Sequence, residues 1–382
     1  MGLTPRFLAL QGLCTASSVP CSAGVTTPHD TEAPAPVPVT GQVPPVLVGE
    51  SAASPPVVRA GGGKLEFALG VLNGVLGDYL HRQDNGLATP MELFLDGQRV
   101  QLDRASLQRA YPAPTGRLAL WVHGLAVTEA VWSFPGEPAV TYGALLEKEL
   151  GVTPLYLRYN SGLHISENGE ALARLLETLV AEFPSPIEEL ILVGYSMGGL
   201  VVRSACHVAA EAGHTWLSRV RRALYLGVPH LGSPLERLGK VVTWALRSIP
   251  NPYTQLVADV ANLRSNGVKD LGFGNLLKQD WEGADSQAPL QNRRHPVPLL
   301  PDISHHLLVG SLGRDERHLL SALFGDGVVP LSSAAGRAGV MDRSPVFPQE
   351  NVKVMAGVDH IALAHHADVY AQVRAWCERE LP

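Results

Sequence analysis

The sequence predicts an α/β protein: a mostly parallel sheet with helices on both faces and an inserted helical cap. Three observations predict it. The short continuous apolar runs at residues 118–122 and 190–193 suit strands buried on both faces. Such runs alternate with segments of helical periodicity, and a repeated strand–helix order calls for parallel strands joined by right-handed crossovers. Between Ser233 and His305 that rhythm stops, and apolar helical stripes take its place.

In chain order, residues 67–80 carry Leu69, Leu72, Leu76 and Leu80 on one helical face. Residues 91–102 read as a hairpin whose turn is Asp96-Gly97. The strand 118–122 follows, then a helix over 142–150, a strand at 154–157 and a helix over 167–183 presenting Leu172, Leu175, Leu176 and Leu179. Next come the strand 190–193 and a helix over 197–212. Strands at 222–226, 306–309 and 352–355 and a closing helix over 367–379 complete the pattern. Within the interruption, Leu235, Leu238, Val242 and Ala245 mark one stripe, flanked by Trp244 and Leu246. Asn251-Pro252 opens a second stripe through Leu256, Val260 and Leu263, and a weaker stretch holds Leu276, Leu277 and Trp281. Residues 235–300 are therefore expected as a helical cap over the site.

The first sixty residues differ from the rest. They hold ten of the 30 prolines, one aromatic residue (Phe7) and no lysine. Such a segment buries too little to offset its ordering entropy, so residues 1–60 are expected as a disordered leader and 61–382 as the folded domain, entered through a hinge at Gly61-Gly62-Gly63. Arg6 and residues 7–13 form only a weak secretory pattern, interrupted by Gln11 and Gly12, so a cytoplasmic location is favoured over secretion.

Composition bounds the function. Hydrophobic residues are 46% and charged residues 17% of the 382, enough apolar material for a sizeable core. A net charge of −6 without a dense Lys/Arg run argues against nucleic acid as a partner. No apolar run reaches the roughly 18 residues of a spanning helix. The four cysteines, Cys14, Cys21, Cys206 and Cys377, are too scattered for a disulfide framework or a zinc site, and His305-His306 on one strand face opposite ways. No cofactor or metal is expected.

The chemistry centres on Gly194-Tyr195-Ser196-Met197-Gly198-Gly199, which follows a strand and opens a helix. Gly-x-Ser-x-Gly in that context is a nucleophile elbow: a strained turn lifts the serine hydroxyl above the sheet, and Gly194 and Gly198 leave room for it. The helix N-terminus behind Ser196 brings a positive dipole end to a developing oxyanion. A base and an acid should follow in the order Ser, Asp, His. Asp326, in Phe324-Gly325-Asp326-Gly327, and His360, in Gly357-Val358-Asp359-His360-Ile361, satisfy that order, 130 and then 34 residues further on. Asp326 also suits a plain turn before glycine. His365 and His366 are rivals to His360, expected inside the final helix, and Asp359 reads as a solvated loop carboxylate. The oxyanion hole is expected from the N–H groups of Met197 and Leu125, with Gly124 turning the backbone toward Ser196 and His123 shaping that loop.

These residues resemble the lipase-like branch of the α/β-hydrolase superfamily, in particular bacterial triacylglycerol lipases and GPI inositol-deacylase relatives. The resemblance is carried by Val122-His123-Gly124-Leu125, Arg158-Tyr159-Asn160-Ser161-Gly162, the elbow, Gly227-Val228-Pro229-His230-Leu231-Gly232-Ser233-Pro234, and Asp326-Gly327-Val328-Val329-Pro330. It spans about residues 115–375, less closely over 235–300. It implies the α/β-hydrolase fold, the triad Ser196, Asp326 and His360, and hydrolysis of small-molecule or lipid carboxylic esters. His230 is expected to be structural or to line the pocket, as are Trp244 and Leu246 in the cap. The same triad can serve acyl transfer to an alcohol, and the same fold can persist as an inactive binding module.

Overall fold

The computed structural model describes residues 62–233, 265–283, 294–312 and 345–378. The leader 1–60, Asp326, Trp244, Leu246 and the first two cap stripes lie outside the described residues.

Strands buried almost throughout at the centre build an eight-stranded sheet. Its strands are β1 (Glu92–Leu95), β2 (Gln98–Val100), β3 (Arg117–Val122), β6 (Thr153–Arg158), β7 (Glu189–Tyr195), β8 (Val220–Leu226), β9 (Ser304–Ser311) and β10 (Val352–Ala356); β4 (Ser133–Phe134) and β5 (Glu137–Thr141) form a separate ribbon. The order is β10-β9-β8-β7-β3-β6-β1-β2. All pairings from β10 to β6 are parallel, and the β1–β2 hairpin adds antiparallel strands at one edge. The hairpin turns at Asp96-Gly97, both in the left-handed region (φ 49° and 72°), as a two-residue turn between strands requires.

Successive side chains of a strand face opposite ways, so each central strand feeds two cores. Leu118, Leu120, Leu190, Leu192, Ala223 and Tyr225 pack on one face beneath α4 (Ile165–Glu182) and α5 (Met197–Ala212). Ala119, Trp121, Ile191, Val193, Leu224 and Leu226 pack on the other with α3 (Tyr142–Leu150) and α7 (Ala367–Glu378). Adjacent residues His305 and His306 accordingly stack on Tyr225 and pack against Trp376, on opposite faces. At the sheet's N-terminal end, buried Glu189 accepts from Arg117 (2.8 Å) and pairs with Arg222, joining β3, β7 and β8.

Several expectations are corrected. The first helix, α1 (Gly62–Arg82), begins at Gly62, five residues before the expected 67, and the hinge expected at Gly61 lies outside the described residues. Helix α2 (Arg104–Ala110) was not anticipated: only Leu107 is buried, and its sequence signal is the Asp103 cap accepting from Ser106 N at 2.9 Å. The last helix starts at Ala367, so His365 and His366 stand before it. The N–H of His366 goes to the Tyr142 hydroxyl (2.5 Å), and His365 closes a short turn at Ala362–Ala364. Helix α6 (Asn266–Phe273) was likewise unforeseen, and the stretch around Leu276 and Trp281 holds only a short turn at Lys278–Asp280. This part of the expected cap is fastened to the body: Ser265 Oγ donates to Gly74 O (2.7 Å), and buried Asp270 accepts from Ile165 N (3.0 Å) and bonds His164 Nδ1 (2.8 Å).

Leu192 sits fully buried in β7, at the centre of the sheet. Leu192→Ala is expected to cost about 2–5 kcal/mol through lost transfer energy and the cavity left behind. Leu87→Ala, at a half-exposed position (50%), should stay within about 0.5 kcal/mol. Urea denaturation of both variants measures the difference.

Candidate active site

The site grows from the junction of β7 and α5. Ser196 joins them with φ 52° and ψ −124°, one of four non-glycine residues at positive φ among those described. Such a backbone costs of the order of 1–3 kcal/mol and persists only where its surroundings enforce it. Here the Ser196 N–H donates to Leu226 O (2.9 Å) and its carbonyl accepts from Gly199 N (3.1 Å). A side chain on Gly194 would overlap Gly199, and one on Gly198 would overlap the carbonyls of Val122 and His123. The elbow closes only because both are glycine.

His360 arrives from the far edge of the sheet. After β10 the chain turns at Gly357 (φ 76°), whose N–H donates to Ser311 O (2.7 Å), and Val358 bridges to Ser311. Three contacts then fix the histidine: the Tyr195 hydroxyl donates to His360 O (3.0 Å), the two rings lie 5.2 Å apart, and the imidazole covers Gly227, where a Cβ would crowd it. The result places His360 Nε2 2.9 Å from Ser196 Oγ, with both residues buried. Residues 164 positions apart thus form a hydrogen-bonded serine–histidine pair, a geometry in which an imidazole is able to activate a hydroxyl. His365 instead bonds the carbonyl of Val131 (3.3 Å), and Asp359 is exposed, accepting from Ala362 N (2.9 Å).

The carboxyl end of β3 meets the same point. Gly124 lies so close that a Cβ there would stand 3.0 Å from Ser196 Cβ. His123 is fully buried; its Nδ1 bonds Gly124 O (2.8 Å), while its Nε2 accepts from Tyr159 N (3.3 Å). The pattern fixes the Nδ1–H tautomer. Burial holds the imidazole neutral, pulling its pKa down to about 4. His123 is therefore a strut of the loop, and the Tyr159 hydroxyl adds a bond to its carbonyl (2.9 Å). Met197 opens α5, so its N–H has no intrahelical acceptor, and it stands at the positive end of the helix dipole beside Ser196.

The strand order, the elbow on β7 and the histidine beyond β10 decide the architecture. The fold is that of the α/β-hydrolases. No family model and no curated protein matches the chain. Among solved structures it is similar to a lipase of Bacillus licheniformis in its mature form (20% identity over 68% of this chain and 91% of that one, TM-score 0.41). It is also similar to an esterase of Pyrococcus furiosus (14%, 69% and 82%, TM-score 0.40) and to an α/β-hydrolase fold protein of Chitinophaga pinensis (9%, 70% and 91%, TM-score 0.38).

His230, expected as a structural or pocket residue, has other partners. It is buried against Tyr225 and Phe347, its Nδ1 receives Arg203 Nη1 at 3.4 Å, and its carbonyl accepts from Arg294 (3.0 Å). Burial and the adjacent guanidiniums push its pKa well below the usual histidine value. Sequence reasoning missed Tyr195, Tyr159 and Gly227, whose roles depend on contacts between distant segments. Residues 158–162 entered only through the resemblance.

Three buried histidines make the fold acid-sensitive. His123 and His305 are each held near 4 by burial, and burial also lowers His230 well below the usual histidine value. Each is neutral when folded, yet regains the unperturbed pKa of about 6.5 when unfolded. Below that pH the unfolded chain binds more protons, so stability falls with acid until the folded pKa is reached. Urea midpoints should drop between pH 6.5 and 4.5, and His305→Asn should flatten the slope by about one proton, or about 1.4 kcal/mol per pH unit. An unchanged slope in that variant would exclude His305 as a contributor.

Proposed function

We propose that the protein is a serine hydrolase that cleaves carboxylic esters through an acyl-enzyme intermediate. The observation that carries this reading is the 2.9 Å contact between His360 Nε2 and the hydroxyl of Ser196 on its strained elbow. In the proposed reaction His360 accepts the Ser196 proton as Oγ attacks the ester carbonyl, then returns it to the leaving alkoxide. Water, deprotonated by the same imidazole, releases the acid. An imidazole accepting at Nε2 carries its own proton on Nδ1, and Asp326 is proposed as the carboxylate that accepts a hydrogen bond from that N–H and stabilises the imidazolium. The N–H groups of Met197 and Leu125 are proposed to bind the tetrahedral oxyanion. The buried nucleophile and the dipole end of α5 favour that charge, because hydrogen bonds strengthen where water is excluded.

A lipase-like preference for longer acyl groups is proposed to reside in residues 235–300, with Trp244 and Leu246 as apolar wall. Each acyl CH₂ moved onto such a wall gains roughly 0.8 kcal/mol. Polar substitutions at Trp244 and Leu246 should therefore impair eight-carbon esters more than two-carbon esters in a chain-length series. Equal losses across the series would assign these residues to packing and favour a small-ester esterase.

The nucleophile and base are tested directly. Ser196→Ala and His360→Ala should each lower kcat/KM for a p-nitrophenyl ester by about 10⁴–10⁶-fold, and Asp326→Asn by somewhat less. His365→Ala should stay near the parental rate. A fluorophosphonate probe should label the parent and leave Ser196→Ala unlabelled. Labelling without turnover in water, but with ester formation when an alcohol is added, would mark an acyltransferase. No labelling at all would mark an inactive module.

A further inference from the structure

We propose that Ser161 is a positioning residue for the oxyanion hole: its buried hydroxyl, by holding the N–H of Ala126, aims the neighbouring Leu125 N–H at the nucleophile. The proposal rests on the reading of Leu125 as an oxyanion donor. Leu125 lies between two peptide units. The first carries its own N–H, and the carbonyl of that unit, Gly124 O, is gripped by His123 Nδ1 at 2.8 Å. In a trans peptide the N–H points away from the carbonyl, so this grip sets a direction but leaves the plane free to swivel about one point. The second unit ends in the N–H of Ala126, which donates to Ser161 Oγ at 3.0 Å. Only the two grips together fix both sides of Leu125.

The second grip is needed because Ala126 is held where alanine does not settle unaided. Its φ is 60°, in the left-handed region, where Cβ crowds the backbone. It is buried, so water cannot take over its N–H if the hydroxyl is lost. Helix α1 blocks the other side, for a Cβ on Gly74 would overlap Ala126. Ser161 is itself anchored. The preceding Asn160 donates from Nδ2 to Gly77 O (2.9 Å), accepts from Gly162 N at Oδ1 (3.0 Å), and its carbonyl takes Asn168 Nδ2 (3.0 Å). The turn after β6 is thereby clamped between α1 and α4 and transmits that rigidity to the oxyanion loop through one hydroxyl. A change there should be felt in the transition state, where the oxyanion forms, more than in substrate binding.

The experiment compares Ser161→Ala with Ser166→Ala, which removes another buried hydroxyl, bonded to Trp281 Nε1 at 3.0 Å and remote from Ala126. Short-ester hydrolysis gives kcat and KM. Inhibition by a trifluoromethyl ketone, which adds to Ser196 and places an oxyanion in the hole, gives a transition-state readout. For Ser161→Ala, kcat is expected to fall about 10- to 100-fold, short of the 10²–10³ for loss of a whole donor, with KM within about twofold. The inhibition constant should rise by the same factor as kcat falls. Ser166→Ala should leave both unchanged, and Ser161→Cys, with a weaker acceptor, should fall between parent and alanine. Should the alanine variant fail to fold, the cysteine variant carries the same readouts. Unchanged kcat, or a fall in kcat with unchanged inhibition, overturns the positioning role and leaves the hydrolase reading intact. A parent that turns over no ester overturns both.

Discussion

The carboxyl edge of the sheet depends on one unfavourable backbone conformation, that of Ser196. A serine at φ 52° relaxes unless strand β7, helix α5 and the end of β8 hold it, and the hydrogen bond from Ser196 N to Leu226 O is the fastening between them. The parallel sheet makes that fastening possible, because β7 runs between β3 and β8 with all three carboxyl ends at one edge. Strain at a single residue is thereby balanced against burial spread over the two cores.

Around this point, charge is governed by exclusion of water. His123 is kept neutral by burial and serves as a fixed dipole with a defined tautomer, one nitrogen donating to Gly124 O and the other accepting from Tyr159 N. His360 differs in its setting: its Nε2 bonds the serine hydroxyl, while its carbonyl accepts from Tyr195 and its ring covers Gly227. Two histidines beside one serine thus have separate settings, one bonded to backbone groups and one bonded to the serine hydroxyl.

Much of this was legible in the sequence, for reasons that can be named. The helices over 142–150 and 197–212 coincide with α3 and the start and end of α5, because each is long, periodic and bounded by a cap or glycine: Thr141 and Gly151 for one, Gly213 for the other. The elbow was legible because its two glycines flank a serine at fixed spacing between a strand and a helix, although the backbone that crowds Gly198 comes from distant Val122 and His123. What stayed hidden were contacts between segments far apart. Tyr195 reaching His360, Tyr159 reaching His123, and Ala126 in the left-handed region leave no local pattern. The closing helix starts at Ala367 as its periodicity indicated, but the Tyr142 hydroxyl that bonds His366, 224 residues away, leaves no local pattern.

The glycines around the elbow have a consequence for how this chain can vary. Gly74, Gly162, Gly194, Gly198 and Gly199 each face another part of the chain so closely that the smallest side chain would overlap it. None of them touches substrate or moves a proton. A map of tolerated substitutions would therefore show a ring of intolerance at residues without functional groups, encircling the chemistry and as sharp as the intolerance at Ser196 itself. The shape of the site is kept by the absence of atoms as much as by their presence.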